Sequence, residues 1–261
     1  MTLPILITGG TGTLGSHVVP LLHDAGCKLR ILSRRHQKTS NGADYVTGDL
    51  ATGNGIDAAV DGVDVILHLA GTAKGDDEKM RTLVRAASRA GSPHLVYISV
   101  VGTDRIPVVS RIDRAMFGYF AAKHEAERIV AESGLPWTTL RATQFHDAIF
   151  ALAQQMSKSP IIPMPSGVRI QPIDTGEVAA RLAELAFGEP AGLVPDMAGP
   201  RVYEMKELIR SYLQAAGKRR LFMPVRLAGK AARAYREGAN LAPDRAVGRR
   251  TWEDFLAERL R

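Results

Sequence analysis

The sequence has a single cysteine, Cys27, and few aromatic residues, which make up 6% of its 261 residues. A lone cysteine cannot form an intrachain disulfide, so the composition favours a reducing compartment. Long apolar runs are also missing, because the longest are about six residues and a membrane-spanning helix needs about 18. We therefore expect a cytoplasmic protein with no membrane partner.

The net charge of +7 is distributed unevenly along the chain. Residues 201–261 contain 15 lysines and arginines but only 7 aspartates and glutamates. A cationic surface of this kind can attract nucleic acid, an acidic partner or an anionic substrate. Here the basic residues alternate with alanine, leucine and glutamate and accompany no nucleic-acid-binding motif, so solvated helix faces are the favoured interpretation.

The first 145 residues alternate between short apolar runs and helical stretches. This alternation, with nearly continuous apolar strands, indicates a parallel sheet covered on both faces. The predicted strands are 5–8, 29–33, 44–47, 63–69, 94–99 and 137–141. The predicted helices lie near 13–25, 55–60, 76–90 and 113–133.

Beyond residue 145 the pattern changes to helices separated by proline-rich segments such as 159–165. We predict an α/β fold in which residues 1–145 form a Rossmann-type, doubly wound parallel sheet. Residues 146–261 should form a small, mostly helical substrate-binding region packed on that sheet rather than an independent domain. Its helices are predicted near 144–157, 175–187, 204–216, 226–238 and 251–260, with Thr251 and Asp254 forming a capping box.

A glycine cluster follows the first apolar run, with Gly9, Gly12 and Gly15 in the spacing G-x-x-G-x-x-G. A strand-to-helix turn can need glycine for its backbone alone. This turn, however, opens a helix whose first N–H groups and positive dipole end suit a pyrophosphate. We predict a dinucleotide-binding loop that also includes Thr11, Thr13 and Leu14.

The end of the second predicted strand distinguishes between the two nicotinamide cofactors. A protein that binds NAD normally has an acidic residue there, about 20 residues after the glycines, to bind the ribose 2′-hydroxyl. This chain has Ser33, Arg34 and Arg35 instead. Because the planar guanidinium suits a phosphate, we predict NADP(H) as the cofactor. The sequence shows no cluster of metal ligands, so we predict no metal. Loops after later strands should complete the cofactor site with Asp49, Leu50, Leu69, Ala70, Gly71, Ser99 and Thr143.

Tyr119 and Lys123 are four residues apart on a predicted helix and so lie on one face. A phenol can act as a general acid where a nearby cation stabilises its phenolate, and the lysine can also bind the nicotinamide ribose. Chance gives such a pair in roughly one chain in five of this composition. The position between the fifth and sixth strands favours a catalytic pair.

Together these motifs resemble those of the short-chain dehydrogenase/reductase superfamily, in particular its extended or atypical NmrA-like members. The motifs that carry the resemblance are TGGTGTLG (8–15), Arg34-Arg35, Gly48-Asp49-Leu50, His68-Leu69-Ala70-Gly71 and Tyr119-x-x-x-Lys123. The resemblance implies NADP bound along the glycine loop and Arg34. It also implies a Tyr–Lys pair at the hydride-transfer site and a substrate pocket closed by the C-terminal segment.

One position departs from the family pattern. The family's catalytic serine usually lies two residues beyond Ser99, where this chain has Val101. Ser99 is therefore the remaining candidate hydroxyl, and we expect it nearer the cofactor than the substrate. Without the usual serine, alcohol–ketone chemistry is less favoured than reduction of a conjugated enone or a quinone.

The segment after the sixth strand should reach the substrate, with Gln144, Phe145 and His146 facing it. We therefore predict an NADPH-dependent oxidoreductase, monomer or homodimer, that transfers hydride to a small apolar carbonyl, enone or quinone. The alternative is a non-catalytic, NADP(H)-sensing regulatory protein, although the presence of Tyr119 favours an enzyme. A nucleotide-sugar epimerase or dehydratase is less favoured because of Val101 and the short chain.

Overall fold

The computed structural model describes residues 3–37, 42–71 and 75–261. The chain forms two compact units. The first comprises Met1–Ser99, Ala122–Leu140 and Val178–Val194, and the second comprises Val100–Ala121, Arg141–Glu177 and Pro195–Arg261. Segments from both sides of residue 145 contribute to each unit, so a single boundary at that residue does not reproduce this division. That residues 146–261 do not fold independently stays a prediction.

The strands and helices follow the predicted order closely. The strands are β1 (Pro4–Thr8), β2 (Lys28–Ser33), β3 (Ala43–Thr47), β4 (Val65–His68), β5 (His94–Val100), β6 (Trp137–Ala142), β7 (Ile161–Pro165), β8 (Arg169–Ile170), β9 (Gly192–Leu193), β10 (Tyr203–Glu204) and β11 (Leu221–Val225). The helices are α1 (Thr13–Asp24), α2 (Ile56–Val60), α3 (Asp76–Arg89), α4 (Arg111–Ala131), α5 (His146–Met156), α6 (Thr175–Phe187), α7 (Met205–Ala215), α8 (Lys230–Arg236) and α9 (Trp252–Arg259).

The main sheet has seven strands within the described residues, in the order β3-β2-β1-β4-β5-β6-β9. Its neighbouring strands pair in parallel, for example Ile5 with Leu29 on one side and with Val65 on the other. The order reverses at β1, which creates the crevice where doubly wound sheets bind ligands. The Rossmann-type α/β fold predicted from the sequence is confirmed.

The apolar strands form this sheet because they are buried on both faces. Every residue of β5 is buried, and Leu6, Ile66 and Leu95 pack with Met80 of α3 and Val130 of α4 in one hydrophobic core. A parallel sheet covered by helices needs this continuous apolar pattern. The core holds the carboxyl ends of the strands, and therefore the loops that follow them, in fixed positions.

The second unit contains two small ribbons, in which β8 pairs with β10 and β7 pairs in parallel with β11. The strand at 161–165 corrects the expectation that this proline-rich segment only separates helices. Ile162 and Met164 are buried in the core of the second unit, and this burial holds the segment extended. Proline is tolerated because a two-stranded ribbon leaves backbone donors unpaired at its edges. The predicted capping box of Thr251 and Asp254 is confirmed.

No helix in the described residues is both long enough and apolar enough to cross a bilayer.

Candidate active site

The glycine loop between β1 and α1 packs against the end of β4. Gly9 has a φ of +74°, and a Cβ on it would lie 2.7 Å from the Ala70 amide nitrogen. A Cβ on Gly15 would lie 2.4 Å from the carbonyl oxygen of Gly9. Any larger side chain at either position would displace backbone, so the close approach of loop, helix and strand requires both glycines.

Gly12 is the N-cap residue of α1, and no side chain caps this helix. The Gly12 N–H donates to the Gly9 carbonyl at 2.9 Å, which tightens the loop. Thr11 and Thr13 are exposed, whereas the Leu14 side chain is buried and anchors the first turn. An uncapped helix start presents N–H groups and a positive dipole end, so this loop fits a dinucleotide pyrophosphate.

Ser33 organises the turn that follows β2. Its hydroxyl donates to the Arg35 carbonyl at 2.8 Å and accepts from the Arg35 amide at 3.2 Å. Arg34 and Arg35 are exposed, and neither forms an ion pair with any residue that the structure describes. Two guanidinium groups held at this strand end fit the 2′-phosphate of NADP.

The loops after β3 and β4 supply the other predicted cofactor residues in the first unit. The Asp49 carboxylate accepts from the Ala51 amide at 2.9 Å and closes the turn after β3. Leu50 is buried, Leu69 and Ala70 are partly buried, and Gly71 is exposed. Ala70 is the residue that approaches Gly9, so the structure brings the glycine loop and the β4 loop together.

Lys123 on α4 is almost fully buried in the first unit, with 3% of its side chain exposed. Its Nζ donates to the Ile98 carbonyl at 3.3 Å and lies 3.7 Å from Oδ2 of Asp76. The ammonium also lies 4.8 Å from the ring centroid of Tyr97. Burial lowers the pKa of Lys123, and the charge of Asp76 opposes this shift. The chain thus holds the Lys123 amine beside Gly71, whose Cβ position would lie 3.1 Å from Nζ.

His68, at the end of β4, is buried next to this lysine. Its Nδ1 lies 2.7 Å from the hydroxyl oxygen of Thr8. Its ring centroid lies 5.6 Å from that of Tyr97. Burial, with smaller effects from Lys123 and Lys79, lowers the pKa of His68 to about 3. The imidazole is therefore neutral near pH 7 and serves as a hydrogen-bonded structural group.

Asp76 and Tyr97 are contacts of Lys123 that the sequence analysis missed. Asp76 is in the first turn of α3, where acidic residues are common because they complement the helix dipole. Tyr97 lies within a fully buried strand and resembles an ordinary core residue. Neither position therefore carries a sequence signal that separates it from a purely structural role.

Tyr119 precedes Lys123 by four residues on α4, as predicted, and is 39% exposed. Its ring lies edge-on to Phe120, with 5.8 Å between the centroids. In the second unit, Phe120 in turn contacts Tyr235 at 5.9 Å. Aromatic packing around Phe120 therefore holds this turn of α4 in place, while the Tyr119 side chain remains accessible to solvent.

The positions at the end of β5 differ in character. Ser99 is 5% exposed, and its hydroxyl makes no hydrogen bond with the described residues. Val101, in the second unit, is fully buried and packs with Ala198 and Ala242. The position of the family's usual serine is thus part of an apolar core and has no hydroxyl group.

The predicted substrate residues follow β6 in the second unit. Thr143 is buried, and its amide donates to the Met197 carbonyl at 2.9 Å. Gln144 and Phe145 are partly exposed, which suits a contact with a ligand. Their backbone is held by pairing of Phe145 with Ile173.

His146 has no exposed surface and does not suit the substrate-facing role expected from the sequence. Its ring packs against Trp252 and Phe255, with centroid distances of 6.0 Å and 5.3 Å. Burial lowers the pKa of His146 to about 4, so the ring is neutral near pH 7. It begins α5, and its neighbours on α9 form a core around it. Where the chain is described, no group of three or more histidine, cysteine or acidic side chains could hold a metal ion.

The sheet order, the glycine loop and the buried lysine define a Rossmann-type dinucleotide-binding protein. The family model described as NAD(P)H-binding matches residues 9–184, and the chain belongs to that family. This agrees with the resemblance to atypical short-chain dehydrogenases/reductases. The chain is an NAD(P)H-dependent oxidoreductase.

Some curated relatives with similar sequences are named as reductases, and others are named as photosystem II assembly factors. The chain is 28% identical over 220 residues to a (4-alkanoyl-5-oxo-2,5-dihydrofuran-3-yl)methyl phosphate reductase of Streptomyces griseus. The matched region covers 82% of this chain and 74% of that protein. The chain is also 28% identical over 221 residues, with the same coverage, to an NAD(P)H azoreductase of Xenophilus azovorans. The fold matches an NADPH-dependent quinone oxidoreductase of Escherichia coli, solved with NADPH, with a TM-score of 0.80 over 98% of this chain and all of that one, at 18% identity.

Proposed function

We propose that this protein uses NADPH to reduce a small apolar carbonyl, enone or quinone. The observation that carries the proposal is the burial of Lys123 on α4 beside Gly71, with the exposed Tyr119 four residues earlier on the same helix. The arginines after β2 support NADPH over NADH. The relatives named as reductases support a reductive direction.

When bound, NADPH supplies a hydride to the acceptor. The chain's own residues then provide the proton and the electrostatic environment. Tyr119 donates its phenolic proton to the acceptor oxygen on which negative charge develops, and solvent returns a proton to the phenolate. The Lys123 ammonium, one helical turn away, stabilises that phenolate.

Val101 restricts the choice of acceptor. A simple ketone benefits from a second hydroxyl donor on its oxygen, and the usual position of that donor is apolar here. In an enone or a quinone, conjugation spreads the developing charge, so one donor is sufficient for reduction. We therefore infer that conjugated acceptors are reduced faster than simple ketones of similar size.

The proposal is tested by following NADPH oxidation with a panel of quinones, enones and matched saturated ketones. Turnover with the conjugated acceptors supports it. Tight NADPH binding without turnover of any acceptor would instead favour the NADP(H)-sensing regulatory protein.

Replacing Arg34 and Arg35 with alanine should weaken NADPH binding by about 100-fold or more, since two charge-assisted hydrogen bonds of about 1.5–3 kcal/mol each would be lost. NADH lacks the 2′-phosphate, so its affinity should be unchanged. Fluorescence titration with both cofactors measures the two dissociation constants. Lys28→Ala, an exposed cation at the opposite end of β2, is the matched control. Equal losses for NADPH and NADH would contradict the assignment of the arginines to the phosphate.

Replacing Asp76 with asparagine should move the alkaline limb of the activity profile to lower pH. The Asp76 carboxylate raises the pKa of Lys123 against the effect of burial, so its removal lowers that pKa further. Lys123 is active as the cation, and activity is lost as pH rises through its pKa. The measurement is log kcat against pH for both proteins. Asp77→Asn, with the same charge change one residue further along α3, should leave the limb in place.

A further inference from the structure

The ribbon of β7 and β11 has one apolar face buried and the other in solvent. Ile162, Met164 and Phe222 point into the core of the second unit. The alternate residues face outward, and Ile161, Leu221 and Met223 are 47%, 71% and 49% exposed. Leu221 is opposite Ile161, and Met223 is opposite Pro163. These four outward residues, Ile161, Pro163, Leu221 and Met223, form a contiguous apolar surface that we call the ribbon face.

Basic residues flank the two strands of the ribbon face in sequence, with no acidic residues among them. The segments 157–166 and 217–226 contain no aspartate or glutamate. None of their basic residues forms an ion pair within the part of the chain that is described. We call these residues the cationic border: Lys158, Lys218, Arg219, Arg220 and Arg226.

Most of the cationic border lies at one end of the ribbon, because both strands are parallel and both begin there. Lys218 Nζ donates to the hydroxyl of Ser157 at 3.1 Å, and Arg220 Nε donates to the Ser157 carbonyl at 2.8 Å. These bonds hold the start of β11 on the segment that leads into β7. The charged groups of Lys206 and Arg210 on α7 each lie 5.8 Å from the ring centroid of Phe222, a residue that points away from the ribbon face. Glu204 lines a pocket with Phe222 and Lys206, so the positive charge next to the ribbon face comes from the cationic border alone.

We propose that the ribbon face and its cationic border bind the surface of an anionic lipid bilayer. Exposed leucine, isoleucine and methionine side chains can enter the boundary between headgroups and acyl chains, and nearby lysines and arginines attract anionic headgroups. This departs from the sequence expectation of no membrane partner. That expectation rested on the lack of spanning segments, which binding at the surface does not need.

Two features of the ribbon argue against a second copy of this chain as the occupant. Pro163, Pro165 and Pro224 remove backbone donors from the strands, which disfavours extension of the ribbon by another strand. A symmetric face-to-face contact would also place two cationic borders against each other. An anionic lipid bilayer can bind both parts of this surface, because its headgroups attract the cations and its acyl chains accept the apolar side chains.

The test is co-sedimentation of the full chain with vesicles. Vesicles of phosphatidylcholine containing about one-third phosphatidylglycerol should retain the protein, whereas pure phosphatidylcholine should retain much less. Raising the salt concentration should weaken the binding, because the attraction of the cations is screened.

Two variants separate the charged and the apolar contributions. Neutralising Lys218, Arg219 and Arg220 to glutamine should lower the partition coefficient about 100-fold, because each cation near an anionic surface contributes about a fivefold factor. The double variant L221S/M223S should lower it about tenfold by removing inserted apolar surface. The matched controls are K28Q/R85Q/R261Q for charge and F187S/V247S for exposed apolar residues, and both should bind like the original protein.

Near-UV circular dichroism and NADPH binding of each variant establish that its fold is intact. The proposal would be overturned if the control substitutions reduced retention on phosphatidylglycerol vesicles as much as the ribbon substitutions do. Absence of retention, combined with tight binding to polyglutamate that L221S/M223S leaves unchanged, would overturn it in favour of an acidic protein partner.

Discussion

Replacing Gly15 with alanine should weaken NADPH binding by about three orders of magnitude, because two or three charge-assisted bonds of about 1.5–3 kcal/mol each would be lost. The added Cβ would lie 2.4 Å from the Gly9 carbonyl oxygen and 2.5 Å from the Gly10 backbone. These neighbours are main-chain atoms, so α1 must move away from the loop. The helix start would then no longer point its N–H groups at the pyrophosphate. Titration of protein fluorescence with NADPH measures the change.

The control for this variant is Gly188→Ala. A Cβ on Gly188 meets its nearest neighbour, the Glu184 carbonyl oxygen, at an ordinary 3.6 Å. We expect unchanged NADPH affinity there. If Gly15→Ala retained the original affinity while remaining folded, the glycine loop would not be the pyrophosphate site. Thermal unfolding of both variants distinguishes lost binding from lost structure.

The sheet was predictable because its signal is local. Continuous apolar runs such as residues 5–8 and 94–99 bury both faces, and glycine or proline interrupts the chain between them. The same holds for α6, whose predicted and observed bounds agree at Thr175–Phe187. The prediction for the segment 159–165 was wrong because its prolines indicate a break in secondary structure. Packing of Ile162 and Met164 in the core, together with pairing to β11 some 60 residues later, overrides that tendency.

Site residues could be predicted from the sequence only where a local motif indicates a specific chemical role. The glycine spacing and Arg34-Arg35 point to phosphate binding because few other uses need those residues in that register. Asp76 was missed because its contact with Lys123 joins residues 47 positions apart, which no local pattern reports. His146 shows the opposite error. It follows the sixth strand where a ligand contact is expected, yet Trp252 and Phe255, more than 100 residues later, enclose it.

Replacing Tyr119 with phenylalanine should lower kcat for quinone or enone reduction by about 100- to 10,000-fold, the usual contribution of a positioned general acid. The substitution removes only the hydroxyl group, and the edge-on contact with Phe120 at 5.8 Å can persist. NADPH affinity should therefore stay the same, because the glycine loop and the arginines are untouched. Steady-state kinetics give kcat, and fluorescence titration gives the dissociation constant of NADPH.

A matched control separates the catalytic hydroxyl from a general effect of losing a phenol. Tyr45 in β3 is partly buried and has no assigned part in binding or proton transfer, so Tyr45→Phe should turn over at the original rate. If kcat of Tyr119→Phe stayed within twofold of the original protein, Tyr119 would not be the proton donor. If kcat fell together with NADPH affinity, the hydroxyl would act in cofactor binding instead. Only a large fall in kcat at constant affinity assigns the proton to Tyr119, because the phenolate stabilised by Lys123 forms after the cofactor has bound.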